Sequence, residues 1–172
     1  MDYTVTPLDA IAPKVTTARA AFASGATKPA AWRRATLERM RDLLQERESG
    51  LLDALAADFG KPRHEAWTTE IGFSVSDINH TLAHLSSWMQ PEKVGTPVAF
   101  QPGSSYIVRE PVGVVCVIAP WNYPVQLLPL PMVAAIAAGN AVVAKPSELA
   151  PHTAAELVSL IEAIDDPAVT AV

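Results

Sequence analysis

Apolar positions recur at helical spacing through the first half of the chain. Leu8, Ile11, Val15, Ala18 and Phe22 share one face of a helix expected from Pro7 to about Ala23, with Gly25 as its stop. Thr27-Lys28-Pro29 opens a second helix, whose stripe is Trp32, Leu37, Met40 and Leu44, continued by Leu51, Leu52 and Leu55. Its opposite face carries Arg33, Arg34, Arg41, Glu48 and Asp53 and reads as solvated. Ser49-Gly50 is expected to kink or divide it, and Phe59-Gly60-Lys61-Pro62 to end it, glycine then proline. A further helix is expected from about His64 to Met89, with Ile71, Val75, Ile78, Leu82 and Leu85 as its stripe.

The period then changes. Thr96–Phe100 and Ser105–Arg109 read as two short strands, joined through Gln101-Pro102-Gly103-Ser104 as a hairpin. Gly113–Ala119 is a continuous apolar run without alternation, the pattern of a strand buried on both faces of a parallel sheet. Leu130–Ala138 reads as a helix with Pro129 and Pro131 near its start, and Gly139-Asn140 as its stop. Ala141–Ala144 is a second strand, and His152–Ile164 an amphipathic helix ending near Pro167. The prediction is an α/β fold: N-terminal helices over residues 1–95, a hairpin over 96–110, and a first βαβα unit over 111–172.

Composition narrows the function classes. Thirteen Lys and Arg against eighteen Asp and Glu leave a net charge of −5, which offers no electrostatic footprint for nucleic acid. One cysteine, Cys116, excludes a disulfide framework within the chain and reads as a buried structural residue of its strand. No charged residue lies between Glu110 and Lys145, but prolines, Gly139, Asn122, Gln126 and Asn140 interrupt that stretch, so a buried α/β core is expected and no membrane span. Met1–Gly25 lacks the apolar core of a secretory signal, which makes the cytoplasm the default location.

Two parallel strands joined by a helix place both strand C-termini on one sheet edge, where ligands of open α/β sheets bind. Here those ends are Pro120-Trp121-Asn122-Tyr123-Pro124 and Lys145-Pro146-Ser147-Glu148. Loops that merely end strands, with Lys and Glu facing water, would give the same pattern, and spacing alone does not separate the two readings.

Glu110-Pro111-Val112-Gly113-Val114-Val115, Trp121-Asn122-Tyr123-Pro124, Ala137-Ala138-Gly139-Asn140-Ala141-Val142-Val143 and Lys145-Pro146-Ser147-Glu148, in that order, resemble the aldehyde dehydrogenase superfamily. The Trp-Asn-Tyr-Pro and Lys-Pro-Ser-Glu forms, with Ala56-Ala57-Asp58-Phe59-Gly60-Lys61 upstream, are similar to its class 3 and coniferyl aldehyde dehydrogenase branch. Pro129 departs from the expected helix pattern. The resemblance implies an incomplete aldehyde dehydrogenase fold, with part of a Rossmann-like parallel sheet that binds NAD or NADP. It implies that Asn122 donates its side-chain amide to the oxyanion formed when a thiolate attacks an aldehyde. Lys145 and Glu148 would hold the adenosine ribose, while Ile118, Ala119, Pro120 and Trp121 would line the cofactor channel. The 96–110 hairpin would serve assembly into a homo-oligomer. The nucleophilic cysteine, the general base and the Gly-rich cofactor turn lie downstream in the family. The chain therefore reads as an N-terminal fragment of an NAD(P)-dependent enzyme that oxidises aldehydes to acids, inactive alone. The alternative is a catalytically dead module that associates with intact relatives.

Other candidates are weaker. Asp77, His80 and His84 fall near one helix face, a possible metal site without a further ligand in the pattern. His64-Glu65 lacks the second histidine of a zincin motif. Asn79-His80-Thr81 matches a glycosylation acceptor inside an expected helix. Trp32, Trp67 and Trp88 read as packing residues.

Overall fold

The computed structural model describes residues 6–172. Met1–Val5, which open the stretch read for a secretory signal, lie outside the described residues. Helix α1 (Leu8–Ala23) follows the expected span, and Gly25 beyond it takes φ +81°. Helices α2 (Ala30–Glu46) and α3 (Glu48–Phe59) divide at Arg47 rather than at Ser49-Gly50. Gly50 lies in the first turn of α3, where a Cβ would meet Glu156 Oε2 at 3.3 Å, so this glycine serves close packing and not a break. Gly60 closes α3 at φ +64°, a left-handed conformation that glycine adopts freely, and its N–H donates to Ala56 O at 2.8 Å. The long helix expected after it comes in three pieces: α4 (Arg63–Ala66), a wide π turn over Trp67–Ile71, and α5 (Gly72–Trp88).

The hairpin corrects the sequence reading. Strand β1 (Glu92–Val94) pairs antiparallel with β2 (Ser105–Ile107), Lys93 standing opposite Tyr106. The expected strand Thr96–Phe100 is not one, because Val98–Phe100 forms a 3-10 turn. Pro97 has no N–H for a ladder, and its carbonyl instead accepts from Phe100 N at 2.9 Å.

The second half is a parallel sheet with its crossover helices. Strand β3 (Val114–Ile118) leads through α6 (Pro124–Leu127) and α7 (Pro129–Ala137) to β4 (Ala141–Lys145), then through α8 (Pro151–Glu162) to β5 (Val169–Ala171). The strand order is β3-β4-β5, all parallel, with Val114 opposite Ala141 and Ile118 opposite Lys145. On one face Ala141 and Val143 pack with Ala18 of α1. On the other, Val117, Val142, Ala144 and Val169 join the main core, with Leu37, Leu55, Ile78, Met132 and Leu157 from the surrounding helices. The central strand β4 is buried on both faces, as its apolar sequence requires. Strand β3 is not. It is an edge of this sheet, and α1 packs against Val114 but leaves Cys116 and Ile118 exposed, Ile118 at 72%. The expectation of a buried Cys116 is corrected accordingly.

Arg33 is a second correction. It is buried against the end of α7, donating from Nη1 to Ala137 O at 2.9 Å and from Nε to Lys28 O at 3.1 Å. A cation there meets the partial negative charge of a helix C-terminus. Burial lowers the pKa of the Arg33 guanidinium from its usual value. It remains protonated, as guanidinium groups do in proteins. Gly139 follows at φ +89°, with Arg33 Nη2 only 2.6 Å from where a Cβ would stand. Among the described residues no helix is long and apolar enough to cross a membrane.

Candidate active site

The β3–β4 ladder runs to the mouth of both loops singled out from the sequence. Ala119 N donates to Lys145 O at 3.0 Å, so the Pro120–Pro124 and Lys145–Glu148 segments leave the sheet at the same edge. Ile118 and Lys145 are register partners, so their side chains rise from one face, and Cys116 lies on that face two residues earlier. Ala119 is buried at the strand end, while Pro120, Trp121 and Asn122 are exposed. At the rim, then, the sheet presents an apolar side chain beside a cationic one.

The first loop is held from beneath by the helical layer. Tyr123, the residue before α6, supplies no side-chain cap to it. The amide of Val125 donates instead to Oε2 of Glu70 at 2.8 Å, across 55 residues of chain. Glu70 Oε1 takes Lys61 Nζ at 2.6 Å, and the ammonium lies 4.1 Å above the Tyr123 ring. Asn122 and Tyr123 line a cleft of about 310 Å³ with Phe59, Gly60, Lys61, Pro62 and Glu65. Lys145, Glu148 and Cys116 are not among its walls.

The second loop is built the same way. Pro146 and Ser147 are buried, and Ser147 Oγ accepts from Leu149 N at 3.3 Å. Ala150 provides no cap for α8. Asp58 of α3 does: its Oδ2 accepts from Thr153 N at 2.8 Å and Thr153 Oγ1 at 2.7 Å, and Oδ1 from His152 N at 3.1 Å. Burial pushes the Asp58 carboxyl up, but the Thr153 and His152 donors more than offset this and hold it below the usual 3.8. At the rim, Lys145 and Glu148 form an exposed ion pair. The Lys145 hydrogen bond, with Glu148's own backbone and the Lys145 charge, keeps the Glu148 carboxyl below its usual 4.5.

The two loops read from the sequence thus share a sheet edge. The sequence reading missed the acidic side chains that brace them, Glu70 and Asp58. The only signal for Asp58 was its place in the Ala56–Lys61 segment. Glu70 gave none, because its partners lie nine residues back and 55 residues on. On α5, the rings of His80 and His84 lie 4.2 Å apart beside Trp88. No group of three or more metal-ligating side chains forms there or elsewhere among the described residues.

Comparison with known proteins decides the family. The sequence profile of the Aldehyde dehydrogenase family matches residues 7–171. The chain belongs to the aldehyde dehydrogenase family. Aldehyde dehydrogenase family 3 member B1 of Bos taurus is 43% identical over 146 residues, covering 85% of this chain and 31% of that protein. The substrate-bound AldH of Staphylococcus aureus superposes with a TM-score of 0.92 at 37% identity, covering 94% of this chain and 36% of its own. The glyceraldehyde-3-phosphate dehydrogenase GapN of Methanocaldococcus jannaschii, complexed with NADP, gives a TM-score of 0.79 at 27% identity, over 94% of this chain and 34% of that one. The chain spans about a third of the length of these aldehyde dehydrogenase relatives.

Proposed function

We propose that this chain is the N-terminal part of an NAD(P)-dependent aldehyde dehydrogenase that converts an aldehyde to a carboxylic acid through a thioester on a cysteine outside residues 1–172. The observation that carries the reading is the parallel pairing of Ile118 with Lys145, from which the Asn122 and Glu148 loops leave one edge.

The residues at that edge fit a dinucleotide. Ile118 offers exposed apolar surface, Lys145 a donor on the same face, and Glu148 an ionised acceptor beside it. In this reading Glu148 accepts from ribose hydroxyls and Lys145 donates to them, a charge that suits the 2′-phosphate of NADP as well. Ala119, Pro120 and Trp121 continue the channel wall. Bound NAD(P)+ supplies the hydride acceptor. Asn122 donates its amide N–H to the carbonyl oxygen as the thiolate adds, without a charge that can be lost to a base. Cys116 is not assigned the nucleophile's role, since it stands on the strand face behind Ile118 and outside the Asn122 cleft.

In the same reading the hairpin, beginning at Glu92, is an assembly element of a homo-oligomer. Phe100, Tyr106, Ile107 and Val108 are exposed there. The protein works in the cytosol, where an exposed unpaired thiol such as Cys116 stays reduced. The test is Asn122→Ala in the intact protein. Thioester formation slows by about 100-fold to 1,000-fold with cofactor affinity unchanged. An unaltered acylation rate refutes the role.

A further inference from the structure

Glu70 is fully buried, and the chemistry proposed above makes no use of it. Both of its oxygens are engaged, Oε1 by Lys61 Nζ at 2.6 Å and Oε2 by Val125 N at 2.8 Å. Val125 is the second residue of α6, in a first turn whose amides have no acceptor within the helix. One turn beyond Glu70, Ser74 Oγ reaches Glu70 O at 2.7 Å and Val125 O at 3.2 Å. Lys61 Nζ stands 4.1 Å over the Tyr123 ring. The backbone at Val125 and the ring of Tyr123 are therefore gripped by one ion pair, and Asn122 is the residue immediately before them.

Stability alone is a poor account of this arrangement. A buried ion pair loses in desolvation much of what it gains in attraction, and an apolar pair of similar volume often serves as well. Glu70 also lies in the π turn Trp67–Ile71, a rare widening of the helix that is frequent at functional sites. Orientation is what the pair supplies that an apolar pair would not, because a carboxylate fixes the direction of the amide it accepts from.

We propose that Lys61 and Glu70 are positioning residues for Asn122. Glu70 pins the Val125 amide, Lys61 pins the Tyr123 ring, and the Asn122 amide is thereby aimed before the carbonyl arrives. The proposal rests on the reading of Asn122 as oxyanion donor. Such a donor acts only when pre-aimed, and a displacement of about 1 Å lowers the rate by about 100-fold.

The test is a double-mutant cycle in the intact protein, reading the single-turnover acylation rate and the cofactor Kd. Glu70→Ala slows acylation by about 10-fold to 100-fold with Kd unchanged. Glu70→Gln keeps an oxygen for the Val125 amide and limits the loss to about 3-fold to 10-fold. On the Asn122→Ala background either Glu70 substitution has no further effect, because Glu70 acts through Asn122. If the losses multiply, or if the Glu70 variants acylate at the wild-type rate while Asn122→Ala is slow, the positioning role is overturned and the oxyanion reading stands. If Asn122→Ala itself acylates at the wild-type rate, the oxyanion reading fails and takes the positioning role with it. Should Glu70→Ala not fold, Glu70→Gln completes the cycle under the same criteria.

Discussion

Two carboxylates from the helical layer do at a distance what an N-cap residue does locally. Glu70 serves α6 and Asp58 serves α8, and the residues before those helices, Tyr123 and Ala150, supply no cap of their own. Each helix follows one of the two loops at the sheet edge, so the caps brace the loops as well as the helices. Asp58→Ala in the intact protein is expected to lower stability by about 1–2 kcal/mol in urea unfolding at pH 7. The pH dependence has a definite sign. A carboxyl held below its usual 3.8 contributes stability that is present above that value and lost as pH falls through the lowered native value. Asp58→Asn is expected to flatten the stability profile below about pH 4 while preserving an acceptor. An acid limb as steep as the wild type's contradicts this account of the cap.

At the scale of elements, the turn from α7 into β4 is fixed by contacts from three other parts of the chain. Thr27 Oγ1 bonds Gly139 O at 2.7 Å, Asn140 Oδ1 takes the Gly113 amide at 2.9 Å, and Arg33 fills the space beside Gly139. Gly139→Ala adds a Cβ at φ +89° and drives it into the guanidinium, and is expected to lower stability by about 2 kcal/mol or more. Thermal unfolding of the intact protein checks this, and an unchanged Tm contradicts it. Gly139-Asn140 was legible in the sequence as a helix stop, and the β3–α–β4 unit as parallel, because apolar runs and crossover handedness leave few alternatives. Arg33 was not legible. Its place among charged neighbours suggests a solvated face, and only the docking of α7 onto α2 buries it. Cys116 misled in the opposite direction, since an apolar run says nothing about where a covering helix stops. The first hairpin strand was displaced because Val98 and Phe100 mimic alternation directly after Pro97, which has no N–H to pair. Strand β5 is three residues long, too short to leave a periodic signal.

For the whole molecule, the sheet edge that carries the candidate site is also where apolar surface is open. Ile118, Trp121 and Leu149 are exposed around it, at 72%, 50% and 64%. Expressed as residues 1–172 alone, the chain is expected to self-associate in light scattering and to give no NAD(P)-dependent aldehyde oxidation. A monodisperse monomer contradicts the first expectation, and turnover by the purified chain contradicts the second. The mass of the natural protein separates a longer enzyme from a short module that binds intact relatives. Equilibrium titration of the intact protein with NAD+ and NADP+ tests most directly the proposal that one rim serves one dinucleotide. Glu148→Ala and Lys145→Ala are expected to weaken the preferred cofactor by about 10-fold, while Asn122→Ala leaves its Kd unchanged. Wild-type cofactor affinity in both the Lys145 and Glu148 variants would contradict the account.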